Sequence, residues 1–194
     1  MSLISEPQLE LQEIKAKSPV MREIKHRRRV ISDGYLRSDE LWEVEARMQD
    51  IKTYDVWRDF DGELVAQDTP FHDICVRIAL DDAFYIKEIE VSIDAHPFPN
   101  CYEIASNFER LVGTRISSGW LSYAKKEFKG VAGCTHVLEL LPVVATTAFQ
   151  MMWYPLCEKY PERTKSAINS FSNNCHGWSE DGPMMAKFRQ DEAG

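Results

Sequence analysis

The order of two hydrophobic periodicities constrains the fold of this chain more than any other feature. Apolar residues alternate with polar ones over Leu41–Met48 and again over Phe71–Leu80, which is typical of strands with one buried face. After residue 100 the apolar spacing lengthens to three and four, as in Ile104, Phe108 and Leu111, which is typical of helices. Strands followed by helices predict an α+β fold, with an antiparallel sheet and helices packed on one of its faces.

Turn and capping signals divide this pattern into elements. We expect strand structure from Lys25 onward, a small ribbon near residues 63–66, and a hairpin in which residues 84–94 pair with Phe71–Leu80. Asn100 is a typical N-cap for a first helix, which Gly113 ends. A second helix is expected from about residue 118 to residue 128, and a long apolar helix from about Cys134 to residue 152.

The chain of 194 residues is long enough for one hydrophobic core and is predicted to form a single domain. We assign residues 1–20 to a flexible N-terminal lead-in, residues 21–155 to the α+β domain, and residues 156–194 to a C-terminal segment that wraps the surface.

Charge and composition exclude several classes of protein. The formal net charge of −8 would repel nucleic acid and an anionic membrane surface, so neither is an expected partner. The N-terminus lacks the apolar segment of a secretory signal, and polar residues interrupt the apolar stretch 137–156, which therefore indicates a buried helix rather than a membrane span. Five cysteines, an odd number, indicate reduced thiols and a cytoplasmic location.

The segment Gly133–Glu139 carries the strongest local signal for chemistry. Cys134 falls at the start of the long helix, where the helix dipole favours the thiolate that binds metal or attacks a substrate. His136 follows two residues later, and Glu139 lies three residues beyond His136 on the same helix face. We therefore select His136 and Glu139 as candidate catalytic residues. The alternative is that this face of the helix is merely exposed to solvent.

The cysteines and histidines together predict a metal site. Cys101 is expected at the start of the first helix, so that Cys101, Cys134 and His136 supply thiolate and imidazole donors, with Cys175 or His176 as a fourth. Such donors suit zinc or an iron–sulfur cluster. The alternatives are buried inert thiols and a catalytic cysteine. Cys75 and Cys157 are interpreted as structural. His72 with Asp73, at the mouth of a strand, is a weaker candidate for chemistry, since a lone histidine there is usually structural.

A basic run lies at the start of the first strand. Arg27, Arg28 and Arg29 could bind an anion such as a carboxylate or a phosphate. The alternative is a charged edge strand that prevents sheet-to-sheet aggregation. Glu43, Glu45 and Arg47 share one strand face and indicate a solvated face or a ladder of ion pairs.

Several of these motifs together resemble an uncharacterised bacterial family, catalogued as a domain of unknown function. The resemblance covers residues from about 24 to 185 and is carried by His26–Arg28, the LWEVEA segment at 41–46, the GCTH segment at 133–136 with ELL at 139–141, and ATTAFQ at 145–150. The resemblance implies no activity and no catalytic residues.

The order of elements over residues 76–150 is also similar to that of the iron–sulfur cluster assembly scaffold proteins. That likeness implies Cys101 and Cys134 as cluster or zinc ligands, with His136 as a third. Only two of the three cysteines of those proteins fall in register here.

Three functions stay open from the sequence. The first is a metal-site protein, which with an open coordination position is a small metalloenzyme that uses Glu139 as general base on a bound water. The second is a metal-free enzyme or binding protein of bacterial catabolism for a hydrophobic carboxylate or acyl thioester, with a pocket along residues 136–150 and Arg27–Arg29 on the anion. The third is a non-catalytic assembly module. The sequence decides neither enzymatic activity nor oligomeric state.

Overall fold

The computed structural model describes residues 20–162, 167–168 and 171–191. The predicted N-terminal lead-in therefore lies outside the described residues, except for Val20. Parts of the predicted C-terminal segment, at 163–166, 169–170 and 192–194, also lie outside them.

Four strands form one antiparallel sheet in the order β1-β2-β5-β6. A short antiparallel ribbon, β3 and β4, interrupts the chain between β2 and β5, as predicted for that loop. The strands are β1 His26–Leu36, β2 Trp42–Lys52, β3 Val56–Trp57, β4 Leu64–Val65, β5 Pro70–Leu80 and β6 Ile86–Ala95.

The two faces of the sheet have opposite character. On one face the alternating residues of β2 and β5 are almost fully buried, and they form the core with the helices: Val44, Ala46, Met48, Ile74, Val76, Ile78 and Leu80. The other face carries ion pairs such as Glu43–Arg77 at 3.0 Å and Arg47–Asp73 at 2.7 Å. This is the ion-pair ladder that the sequence indicated. The described helices that contact β2 and β5 therefore pack on the opposite, apolar face of the sheet.

Three α-helices with defined bounds and three 3₁₀ segments follow the sheet within the described residues, and further helical residues lie at 161–162, at 167–168 and at residue 171. The helices are α1 Trp120–Glu127, α2 Thr135–Lys159 and α3 Pro183–Asp191. The 3₁₀ segments are Cys101–Leu111, Gly130–Ala132 and His176–Trp178. The α+β prediction is confirmed: α2 packs across β1, β2 and β5, while the 3₁₀ segment Cys101–Leu111 packs beside β6.

Two helix predictions need correction. The segment after Asn100 is a 3₁₀ helix rather than an α-helix, and Asn100 makes no side-chain cap hydrogen bond. Its buried residues are still Phe108 and Leu111, because packing against β6 requires only that these two side chains face the sheet. The apolar periodicity therefore identified the buried face but not the hydrogen-bonding pattern.

Helix α2 ends at Lys159, seven residues beyond the predicted end at Met152. The prediction took Pro155 as a stop signal, since proline lacks the N–H that continues a helix. In the structure, Lys159 Nζ and the Tyr160 hydroxyl both donate to Asp82 Oδ2, at 2.7 and 2.8 Å. These bonds fix the end of α2 to the β5–β6 turn and hold the helix together past the proline.

One described helix, α2, is long and apolar enough to cross a membrane, judged only by length and composition. Core helices of soluble proteins share those properties. In this fold α2 contacts three strands, and Thr147 shares a 2.8 Å hydrogen bond with Ser32 of β1. These contacts agree with the sequence interpretation of a helix packed on the sheet.

Candidate metal centre

A row of three polar residues crosses the sheet at one end of its helix-covered face. Arg28 of β1 lies directly opposite Asp50 of β2, and Asp50 lies directly opposite His72 of β5. Each residue continues the period-two pattern of its strand, so all three side chains point towards the helices. The sheet therefore presents a guanidinium, a carboxylate and an imidazole side by side.

The start of α2 adds a second imidazole to this row. Cys134 is the extended residue immediately before α2, and His136 lies in the first turn. The His136 and His72 rings have centroids 4.1 Å apart. One donor atom each from Asp50, His72 and His136 lies within 4.8 Å of the other two.

Asp50 is the buried charge at the centre of the site. Its side chain is 4% exposed, and Arg28 binds it with two hydrogen bonds, Nε to Oδ1 at 2.7 Å and Nη2 to Oδ2 at 2.8 Å. His26 Nε2 lies 3.0 Å from Oδ1. Burial by itself would raise the pKa of Asp50, but Arg28 and the neighbouring histidines outweigh it and lower the pKa to about 2. Asp50 is therefore an anion at physiological pH.

His72 contributes a neutral imidazole with an unused nitrogen. Burial, together with the neighbouring His136, lowers the pKa of His72 to about 4. Its Nδ1 lies 3.3 Å from Asp50 Oδ2, but the two atoms lack hydrogen-bond geometry. Within the described part of the chain this buried nitrogen has no hydrogen-bond partner. Buried polar atoms are almost always satisfied, so an unsatisfied one is evidence for a ligand or a functional role.

His136 joins Asp50 to Cys134. Its Nε2 lies 3.9 Å from Asp50 Oδ2, while its Nδ1 lies 4.0 Å from Cys134 Sγ. Burial raises the pKa of Cys134, but the His136 ring and the backbone N–H groups at the start of α2 outweigh it, so the net pKa is lowered. The same contact with Cys134, more than the opposing effect of burial, raises the pKa of His136. The pair thus favours a thiolate beside a protonated imidazole.

Glu139 and Arg28 connect the site to the edge strand. Arg28 Nη1 donates to Glu139 Oε2 at 2.6 Å, so Glu139 holds the same guanidinium that binds Asp50. Arg27 and Arg29 are next to Arg28 in sequence and therefore lie on the opposite face of β1. The three arginines proposed to bind an anion do not converge, and Arg28 is already paired with two carboxylates.

The remaining predicted ligands do not belong to the three-donor group. Cys101 is half-buried and packs against the hydrophobic core at the start of its 3₁₀ segment. Cys175 and His176 are exposed at the 3₁₀ segment His176–Trp178. Among the described residues, the one group of three donors consists of Asp50, His72 and His136.

Asp50 and His72 were not selected from the sequence, although a signal for them exists. Asp50 occupies the next inward position after Trp42, Val44, Ala46 and Met48, where the alternation calls for an apolar residue. His72 occupies the same kind of position, two residues before Ile74 in β5. Both Asp50 and His72 could have been identified by this pattern, in which a polar residue continues a row of buried apolar residues along a strand.

Comparison with known proteins identifies a family. The chain matches the family model described as "Protein of unknown function (DUF2889)" over residues 26–150, and it belongs to that family. The match covers β1 through most of α2 and so includes Arg28, Asp50, His72 and His136. No curated protein and no solved structure gives a significant match to the chain.

Proposed function

We propose that this member of the DUF2889 family binds one divalent metal ion, Zn²⁺ or Fe²⁺, through Asp50, His72 and His136. The observation that carries the proposal is the mutual approach of one donor atom from each of these residues to within 4.8 Å. Two imidazoles and one carboxylate form the ligand set of catalytic zinc sites and of non-haem iron sites that keep coordination positions open.

The distances between donors support a single ion. A metal about 2.0–2.2 Å from each ligand holds neighbouring donor atoms roughly 3–3.6 Å apart. Asp50 Oδ2 lies 3.3 Å from His72 Nδ1 and 3.9 Å from His136 Nε2, so the first separation falls within that range and the second is slightly above it. Iron–sulfur clusters are held chiefly by cysteine thiolates. Of the two cofactors that the sequence suggested, this donor set therefore favours the single ion.

The surroundings of the donors also support metal binding. The ion would satisfy His72 Nδ1, the buried nitrogen that has no hydrogen-bond partner in the described structure. Arg28 binds both oxygens of Asp50, Nε to Oδ1 and Nη2 to Oδ2, and His26 lies against Oδ1, so the carboxylate is held in one orientation, a task that outer residues perform in most metal sites. The negative charge of Glu139 compensates the positive charge of Arg28, so the negative charge of Asp50 can attract a cation.

This ligand set gives Cys134 and Glu139 supporting tasks. Cys134 approaches Nδ1 of His136, whereas Nε2 faces Asp50, so Cys134 contacts the ring from the side away from the other donors. It would accept a hydrogen bond from Nδ1–H and so fix the tautomer in which Nε2 binds metal. Glu139 would position Arg28, and an open coordination position would leave it as a candidate base for a bound water.

A second function has a specific observation in its favour. Cys134, His136 and Asp50 form a thiol–imidazole–carboxylate series with successive separations of 4.0 and 3.9 Å. The same order of groups activates nucleophilic cysteines in other enzymes. This alternative uses His136 and Asp50 but has no need of His72, and that difference makes the two functions separable.

Metal content tests the proposal directly. Protein purified without chelator and loaded with Zn²⁺, or with Fe²⁺ without oxygen, should carry about one ion per chain by elemental mass spectrometry. His72→Gln and Asp50→Asn should lose the ion, while His96→Gln, at a half-buried histidine that donates to the Phe98 carbonyl, should keep it. Wild-type protein without a bound ion, or full metal in folded His72→Gln, would contradict the proposal.

Cys134→Ser separates the ligand sets. It should keep the ion if Asp50, His72 and His136 are the ligands, and lose it if the sequence-predicted set with Cys101 and Cys134 is correct. For the nucleophile alternative, alkylation of Cys134 by iodoacetamide should slow in His136→Gln and be unchanged in His72→Gln.

A further inference from the structure

A large pocket lies on α2 beyond the residues of the metal centre. Its volume is about 1040 Å³, at the upper end of the range for small-molecule sites. It is bounded by the β5–β6 turn, the segment before α1, and the second half of α2. Thr146 of α2 lies in its wall, ten residues and hence roughly 15 Å along the helix axis from His136.

Aromatic side chains form one wall of the pocket. Phe149 lies at their centre, with ring centroids 6.4 Å from Phe84, 5.6 Å from Trp153 and 5.4 Å from Phe171. Phe149 is nevertheless 36% exposed, so its ring contributes to the open surface of the pocket instead of filling the core. A concave and exposed cluster of rings is the surface on which a flat apolar ligand binds favourably.

The described lining of the pocket contains one carboxylate and one guanidinium. Asp82 is the lining carboxylate, and Lys159, Tyr160 and Trp42 all donate hydrogen bonds to it. Arg115 is the lining arginine, and it forms no ion pair with any described residue. Asp82 already has hydrogen-bond donors around it, whereas Arg115 has no described carboxylate partner. Arg115 can therefore attract an anion into the pocket.

Arg115 is held in place by the backbone around it. Its Nε donates to the Ala83 carbonyl at 2.9 Å, and Tyr85 and Arg115 form an isolated antiparallel bridge. On either side, Ile86 N donates to the Thr114 carbonyl and Ile116 N to the Phe84 carbonyl. Its two terminal nitrogens have no hydrogen-bond partner among the described residues and can therefore bind a ligand. A side chain that is fixed before binding loses less entropy when the ligand binds.

We propose that this pocket binds a small aromatic carboxylate, with its rings against Phe149 and its neighbours and its carboxylate on Arg115. The proposal shares the ligand class of the metal-free alternative drawn from the sequence but changes the site. Thr146 and Phe149, which lie within the predicted pocket region 136–150, line this pocket, whereas the anion is assigned to Arg115 instead of Arg27–Arg29.

Titration calorimetry with 2-naphthoate and its neutral isostere 2-naphthamide tests the proposal. The acid should bind saturably and at least tenfold more tightly than the amide. Arg115→Gln should reduce this preference to less than threefold without greatly weakening the amide, and Phe149→Ala should weaken both. Arg29→Gln is the matched control, since Arg29 is exposed and also forms no ion pair with any described residue.

A second readout locates the ligand. Cys157 lines the pocket, so 2-naphthoate should slow the alkylation of Cys157 by iodoacetamide, while the reaction of exposed Cys175 continues unchanged. Peptide mass spectrometry follows both thiols in one sample. Equal binding of acid and amide, an unchanged Arg115→Gln, or no protection of Cys157 would each overturn the proposal.

The proposal for the pocket and the proposal for the metal centre can be tested independently. Binding of 2-naphthoate should be the same after treatment with EDTA and after loading with Zn²⁺, because none of the three proposed ligands lines the pocket. Loss of metal with intact naphthoate binding would overturn only the proposed function. Intact metal without naphthoate binding would overturn only this inference.

Discussion

One carboxylate organises each end of the sheet, the buried Asp50 and the half-buried Asp82. At one end Asp50 collects Arg28 and the histidines; at the other, Asp82 in the β5–β6 turn accepts hydrogen bonds from Trp42, Lys159 and Tyr160. A buried charge is tolerated only when such partners surround it. Each carboxylate therefore fixes the position of the elements from which its partners come.

Replacing Asp82 by Asn should lower the free energy of unfolding at pH 7 by roughly 1–3 kcal/mol, the usual contribution of hydrogen bonds to a charged group. Burial raises the pKa of Asp82, but its three hydrogen-bond donors outweigh it and lower the pKa in the folded protein. A lowered folded pKa stabilises the protein above the unfolded pKa of about 3.9, and this contribution is lost as the pH falls through the folded value.

The difference between wild type and Asp82→Asn should therefore be full above about pH 5 and shrink below pH 4. Urea unfolding from pH 7 to pH 3 measures it. Glu158→Gln serves as control, since Glu158 is exposed on the same helix end and should change stability by less than about 0.5 kcal/mol. A difference that stays constant down to pH 3 would show that the Asp82 charge is not the cause.

Helix α2 is the element that connects the two candidate sites. Its first turn carries His136 and Glu139, and its second half carries Phe149, Trp153 and Cys157 of the pocket. Contacts with β1, β2 and β5 fix it along the sheet. The position of the metal centre thus depends on where the chain enters α2, which Gly133 controls.

Gly133→Ala tests that dependence. A Cβ at residue 133 would lie 2.1 Å from the Phe128 carbonyl oxygen and 2.7 Å from Phe128 Cβ, and Phe128 is itself buried against Phe108. Since neither neighbour can move freely, we expect a loss of about 1–3 kcal/mol in the free energy of unfolding. Urea unfolding measures it, with Gly177→Ala as control because its nearest contact is 3.9 Å away. Equal stability of the two variants would contradict this account of Gly133.

At the scale of the whole molecule, the metal ligands come from three separate elements. Asp50, His72 and His136 lie on β2, β5 and α2, so one ion would link the sheet to the helix that covers it. An ion that binds the folded chain in preference to the unfolded chain raises stability by mass action. The proposed metal centre therefore predicts metal-dependent thermal stability.

Zinc at about one hundred times its dissociation constant should stabilise the protein by about 2.7 kcal/mol. For a chain of this size that corresponds to an increase in Tm of roughly 5–10 °C. Differential scanning calorimetry measures the shift, which EDTA should reverse. His72→Gln should show little shift, and His96→Gln the full one. An equal shift in His72→Gln would assign the zinc effect to other residues.

Much of the fold was predictable because strand alternation is a local property. The inward rows of β2 and β5 and the hairpin of β5 with β6 follow from residues two apart along one strand. The 3₁₀ geometry of Cys101–Leu111 and the length of α2 were not predictable. The bonds that anchor the end of α2 to Asp82 join residues 77 and 78 positions apart, and apolar spacing alone does not separate a 3₁₀ segment from an α-helix.

The candidate site was predictable only in part, for a similar reason. The Cys134–His136 pair is local, and its helix-terminal position follows from the sequence. Arg28 and Asp50 meet across 22 residues of chain, and Arg28 meets Glu139 across 111. Their convergence depends on strand register, because a slip of one residue would turn Asp50 to the opposite face of the sheet.

The sequence by itself determined the α+β class, the buried faces of β2, β5 and β6, and the placement of Cys134 at a helix start. Only the tertiary structure decided which polar residues meet: Asp50 and His72 with His136, and Arg115 with the aromatic wall of α2. The physical reason is the sequence separation between the residues that interact. Periodicity records which side of an element is buried, whereas a site is formed where several elements bring their buried sides to one point.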